Sequence, residues 1–140
     1  MPEADRGRGI VDTSVVIDLE RVDPVSLPPE LAISAVTLAE LAAGPHATAD
    51  SAERASRQDR LQRAETTFDP LPLDTEVARA FGRVYAATVA AGRKARGRRA
   101  LDLLIAATAL ASDLPLYTRN PSDFEDLGEL LDVRSVEVEA

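Results

Sequence analysis

Four carboxylates occupy positions where a side chain could do chemistry: Asp12, Glu40, Asp102 and Asp123. Asp12 closes the short apolar run Gly9-Ile10-Val11 and is followed by two hydroxyl residues, Thr13 and Ser14. Such a run reads as a buried strand that delivers a carboxylate to its C-terminal end, where open α/β sheets place their ligands. Glu40 lies within Leu38-Ala39-Glu40-Leu41-Ala42, where a lone charge is costly to bury unless something pairs with it. Asp102 is the one charge between Leu101 and Ser112, and Asp123 follows the polar run Thr118-Arg119-Asn120-Pro121-Ser122. Each also has a purely structural reading: Asp12 or Thr13 as a helix cap, Glu40 in a capping box with Thr37, Asp102 as an acid near a helix start, Asp123 as a turn cap. Gathered at one sheet edge, the four would repel. At ~4 Å each like pair costs about 4 kcal/mol for an effective dielectric of 20, so a cluster demands a divalent cation or raised pKa values. Oxygen ligands without histidine or cysteine point to magnesium, with manganese as a substitute.

Other chemistries find little support. The chain has no cysteine, which removes thiolate nucleophiles, zinc-thiolate sites and disulfides. Its single histidine, His46, sits between Gly44-Pro45 and Ala47 and reads as a loop residue. A formal net charge of -8 argues against nucleic-acid binding through the overall field. Any such contact must be local, and Arg93, Lys94, Arg96, Arg98 and Arg99, just before Asp102, form the one concentrated basic segment that could grip phosphates. No apolar run approaches the ~20 residues needed to span a bilayer, and Met1 to Arg8 lacks the apolar core of a signal peptide. A soluble, cytoplasmic protein without membrane contact is expected.

The elements that must position these residues alternate between strand and helix. The pattern predicts strands near Arg8–Asp12, Leu31–Ile33, Leu114–Thr118 and Leu131–Val138. It predicts helices at Val15–Arg21, from Ser34 or Thr37 to Ala43, Ser51–Thr67, Asp74–Ala91 and Leu101–Ser112, with residues 1–8 as a flexible lead-in. Val77, Ala80, Phe81, Val84, Tyr85, Thr88 and Val89 recur at helical spacing and are expected in the core. The resulting class is α/β, one domain over 1–140, with an open, mainly parallel sheet of four to five strands and helices on both faces.

Four segments carry a family resemblance: Ile10-Val11-Asp12-Thr13-Ser14, Ser34 to Leu41, Asp102 to Ala109, and Thr118 to Phe124. In this order and spacing the chain resembles the PIN-domain ribonucleases, and among them the small VapC-type toxins of bacterial toxin-antitoxin pairs. The resemblance implies a three-layer fold and a metal-dependent endoribonuclease whose catalytic and metal-binding acids are Asp12, Glu40 and Asp102, with Asp123 as the fourth. Many members carry an acid directly after the Thr-Arg pair; here Asn120 stands there, and it is assigned a supporting polar role beside Thr13, Ser14 and Thr118. One or two magnesium ions would lower the pKa of a water that attacks the phosphodiester. RNA as substrate, a VapB-type antitoxin that inhibits it, and a toxin-antitoxin hetero-oligomer are likewise implied. The apolar positions of Thr37–Ala43 and of the Ser51–Thr67 helix are expected to receive the antitoxin, and those of Val77–Val89 a second copy in a homodimer. Two alternatives remain: a non-catalytic partner-binding domain, and a phosphatase built on the strand-end acid. The latter wants an acid two residues after Asp12, where this chain has Ser14.

Overall fold

The computed structural model describes residues 7–139. The expected lead-in thus lies largely outside the described residues, and Arg8, its last member, instead opens strand β1.

Nine regular elements follow: β1 Arg8–Val11, α1 Thr13–Ile17, β2 Glu30–Ala32, α2 Ala35–Ala43, α3 Ser51–Thr67, α4 Thr75–Ala90, α5 Arg98–Ser112, β3 Leu116–Thr118 and β4 Val133–Ser135. Four helices begin on a side chain that accepts a backbone N–H of the first turn: Asp12 for α1, Ser34 for α2, Asp50 for α3 and Asp74 for α4. Each cap satisfies one of the donors that a helix start leaves orphaned. Ser34, not Thr37, starts α2, so Thr37 forms no capping box with Glu40. Helix α5 starts at Arg98, three residues before the expected Leu101, and Gly97 precedes it with φ 67° and no side-chain cap. The expected fourth strand shrinks to Val133–Ser135, and the chain between Pro70 and Pro72 contributes only a single bridge from Leu71 to Ser34.

The strands form one parallel sheet in the order β2-β1-β3-β4. Period-two alternation sends successive residues to opposite faces. Ile10, Ala32 and Leu116 pack on one side with Val77, Val84, Leu103 and Ile105 of α4 and α5. Val11, Ile33 and Tyr117 pack on the other with Val15, Val16, Leu41 and Ala64 of α1, α2 and α3. The architecture is therefore helix layer, sheet, helix layer. Because the chain runs from β1 outward to β2 and then back across to β3, the strand order reverses between β1 and β3. The crevice beyond their C-terminal ends is where such sheets bind ligands. Among the described residues, no helix is long and apolar enough to cross a membrane.

Candidate active site

Asp12 leaves the end of β1 and is held there by its backbone N–H, which donates to the Tyr117 carbonyl of β3 at 3.1 Å. The residue is 5% exposed. It accepts from the Ser14 hydroxyl at 2.5 Å and from the Val15 N–H at 3.2 Å. One oxygen thus caps α1 while the same side chain borders an open cavity of about 430 Å³. Burial pushes the Asp12 carboxyl above its ordinary value, opposed by hydrogen bonds from Ser14, Thr118 and the Val15 and Ser14 backbone.

The same cavity is lined by Glu40, Asp102 and Asp123, so the crevice gathers all four acids, from the end of β1, from α2, from α5 and from the 3₁₀ turn Pro121–Leu127. Glu40 is oriented by hydroxyl groups. Thr13 Oγ1 donates to Glu40 Oε1 at 2.7 Å and lies 3.0 Å from Thr37 Oγ1. Thr13 has a single hydroxyl proton, which serves either Glu40 or the fully buried Thr37, so the three side chains form a line Thr37, Thr13, Glu40. Burial, then the charges of Asp123, Asp12 and Glu40, push Asp102 up to about 6, with Arg98 pulling the other way. The neighbouring acids thus add to burial in favouring the protonated form of Asp102.

Thr118 is buried, hydrogen-bonds Asp12 and receives the Asn120 N–H at 3.0 Å, while Asn120 lines the cavity from an exposed position. Two residues that sequence reasoning passed over also line it: Asp18 and Arg119. Arg119 donates its N–H to Ser14 Oγ at 3.3 Å, and its guanidinium contacts Asp18. Asp18 reads in sequence as a solvated helix acid; only the α1 geometry turns it toward the crevice.

The basic segment divides. Arg98 and Arg99 belong to the first turn of α5 and line the acidic cavity, with Arg99 Nη1 donating to the Asp123 carbonyl at 3.3 Å. Arg93 is tied to Asp126 at 3.0 Å, and Lys94 and Arg96 lie with it in a separate shallow pocket. His46 is exposed in a 3₁₀ turn, as expected for a loop residue.

The donor set suits a hard divalent cation in charge and atom type. Among the described residues, no three acids converge closely enough to hold one ion unaided. Asp12 and Asp102, the acids whose protonation burial favours, would gain most from the cation.

The PIN domain profile matches residues 10–130, which includes every acid of the crevice. Ribonuclease VapC5 of Mycobacterium tuberculosis is 35% identical over 133 residues, covering 93% of each chain. Ribonuclease VapC8 of the same organism is 39% identical over 110 residues, 78% of this chain and 96% of its own. The fold matches the crystal structure of VapBC-5, a member of the VapBC family of toxin-antitoxin systems from Mycobacterium tuberculosis. There the TM-score is 0.79 at 34% identity, covering 96% of this chain and 99% of that one. With its family profile, its relatives and its fold in agreement, this chain belongs to the PIN-domain family, in the branch of the VapC proteins.

Proposed function

We propose that the chain is a ribonuclease toxin of the VapC type that hydrolyses RNA phosphodiester bonds with magnesium and is restrained by a VapB-type antitoxin. The observation that carries this reading is the meeting of Asp12, Glu40, Asp102 and Asp123 in one crevice at the β1–β3 switch point. The names of the VapC relatives supply RNA as the substrate and the antitoxin as the partner.

A bound divalent cation supplies two things at such a site: a water of lowered pKa, and charge compensation on the phosphodiester and its leaving oxygen. The protein supplies the rest. Asp12, which is buried, and Asp102, which is part-exposed, would provide the negative charge that attracts the cation. Glu40, its carboxylate fixed by Thr13, would accept a proton from the attacking water or hold that water in line. Arg98 and Arg99 counter the acids along one wall, so the phosphate of a polyanion can enter a crevice that would otherwise reject it. Ser14 and Thr118 keep the Asp12 carboxylate in one orientation. No covalent intermediate and no histidine are needed.

The test is cleavage of single-stranded and structured RNA by the purified chain across a magnesium titration, repeated with manganese. Asp12→Asn and Asp102→Asn should each lower the rate at least about 100-fold, the loss expected when charge stabilisation worth several kcal/mol is removed. Unchanged cleavage by both variants would overturn the site assignment. Absence of cleavage by the wild-type chain, with RNA binding intact, would favour the non-catalytic reading.

A further inference from the structure

Beyond the acidic crevice, the C-terminal end of α4 carries a second charged surface. Tyr85 is 46% exposed and Val89 51% exposed, and both line a shallow pocket with Arg93, Lys94, Ala95 and Arg96. Tyr85 leans on Phe81, their ring centroids 6.0 Å apart and their planes tilted by 48°, so the phenol ring is braced from within its own helix. Among the described residues, Lys94 and Arg96 make no ion pair, whereas Arg93 is held by Asp126. A braced aromatic ring beside two free cations, on a chain whose net charge is -8, is a composition suited to a nucleobase and its phosphate.

The surface is also joined to the crevice. Arg93 Nη1 reaches the Ser122 carbonyl at 3.4 Å, one residue before Asp123, and Arg99 reaches the Asp123 carbonyl. The chain from Arg96 to Arg98 is two steps, a reach of about 7 Å, and Arg98 lines the crevice. In sequence, Arg93, Lys94 and Arg96 of this surface are followed directly by Arg98 and Arg99 of the crevice wall.

Resting on the ribonuclease reading, we propose that Tyr85, Lys94 and Arg96 form a subsite for RNA distal to the scissile bond. One base stacks on the Tyr85 ring, Val89 flanks it, and Lys94 and Arg96 hold the adjoining phosphates. The subsite reads the strand by its stacking face and charge, so it selects unpaired RNA and tolerates any base.

The full chain carrying Asp102→Asn, which spares the probe, is titrated with 5′-labelled single-stranded RNAs of about 4 and about 12 nucleotides, a range typical of such grooves. Affinity rises with length, and Tyr85→Ala reduces that rise at least about fivefold, the low end for one lost base stack. Tyr85→Phe keeps it and Tyr85→Leu does not, which separates stacking from simple burial. Lys94→Ala with Arg96→Ala lowers the log–log salt slope by about 1.4, at about 0.7 per phosphate contact. A length dependence equal in the Tyr85→Ala and parent chains overturns the subsite while leaving ribonuclease activity of the wild-type chain standing. A change of oligomeric state in Tyr85→Ala by sedimentation velocity overturns it in favour of a contact between copies. If RNA of either length fails to bind and the wild-type chain fails to cleave, the ribonuclease reading falls and the subsite with it.

Discussion

Protonation is the residue-scale property that most distinguishes this crevice. Asp12 and Asp102 have folded-state pKa values above the ordinary 3.8, with Asp102 at about 6. In that window the folded chain keeps protons that the unfolded chain has released. The stabilising contribution is complete below the unfolded value and is lost as pH rises through the folded one. Metal-free protein should therefore lose stability between about pH 4 and pH 7. Asp102→Asn should flatten that fall and be more stable at neutral pH by ~1 kcal/mol, a figure reduced for solvent screening at a part-exposed group. Thermal melts in chelator across this range check the sign: a variant less stable than the parent at neutral pH would show that Asp102 is favourably paired. Excess magnesium should restore the parent chain selectively, because a ligand that binds only the folded state stabilises it. The hydroxyl chain from Thr37 to Glu40 belongs to the same scale. Its sequence trace is a Thr three residues before a Glu, a spacing equally suited to a capping box, so only the placement of Ser34 as the cap reveals what Thr37 does.

At the scale of elements, the crevice depends on how closely β1 and β3 approach. A Cβ built on Gly9 would lie 2.5 Å from Tyr117 Cε1 and 3.1 Å from Pro28 Cγ. Tyr117 cannot simply swing aside, because its hydroxyl accepts from Arg134 Nη1 at 2.9 Å and the Arg134 guanidinium also lies 5.6 Å from the ring centre. Gly9→Ala should destabilise the fold by about 1–3 kcal/mol, the usual cost of overpacking. It should also slow cleavage beyond the loss of folded protein, since Asp12 follows directly from β1; denaturant melts and rates per folded molecule separate the two effects. How much of this was legible beforehand varies from element to element. Helix α3 was expected and found at Ser51–Thr67, because Asp50 caps a run free of Gly and Pro until Pro70. Helix α5 starts earlier than expected because Gly97 offers no side-chain cap to mark the boundary, which moved Arg98 and Arg99 from an assumed loop onto a helix wall of the site. In α4, Val77, Ala80, Val84 and Thr88 are buried as expected, whereas Tyr85 and Val89 face outward. Periodicity at three and four residues admits a stripe wider than the arc α5 can cover, so the pattern could not separate core from surface there.

At the scale of the whole molecule, the question is how an antitoxin could silence a crevice that must stay open to RNA. The surface expected to receive it is partly spent: Thr37 and Leu41 are buried in the fold. What remains is a groove of about 270 Å³ between α1 and α3, lined by Val16, Ile17, Leu19, Ala64, Thr67 and Phe68 and edged by Arg60, Arg63 and Glu20. Ile17, 43% exposed, lines both this groove and the acidic crevice, so the two are neighbours across one side chain. An amphipathic helix in the groove would bury apolar surface, and a basic residue at its end could reach past Ile17 to the carboxylates through charge-assisted hydrogen bonds. Arg119, already held beside these acids by Asp18, shows that a guanidinium is tolerated at the crevice mouth. Two contributions are then separable. Burial in the groove sets the affinity, whereas the cation sets the inhibition, because it competes with magnesium for the same negative charge. A VapB-type antitoxin fragment should therefore block cleavage, and rising magnesium should partly restore it while size-exclusion chromatography still shows the complex. Ile17→Asp should weaken the complex at least about tenfold, about 1.4 kcal/mol, by placing a charge where apolar contact is required. Inhibition indifferent to magnesium would instead mean that the fragment acts by shutting RNA out of the crevice, with its basic residue playing no part.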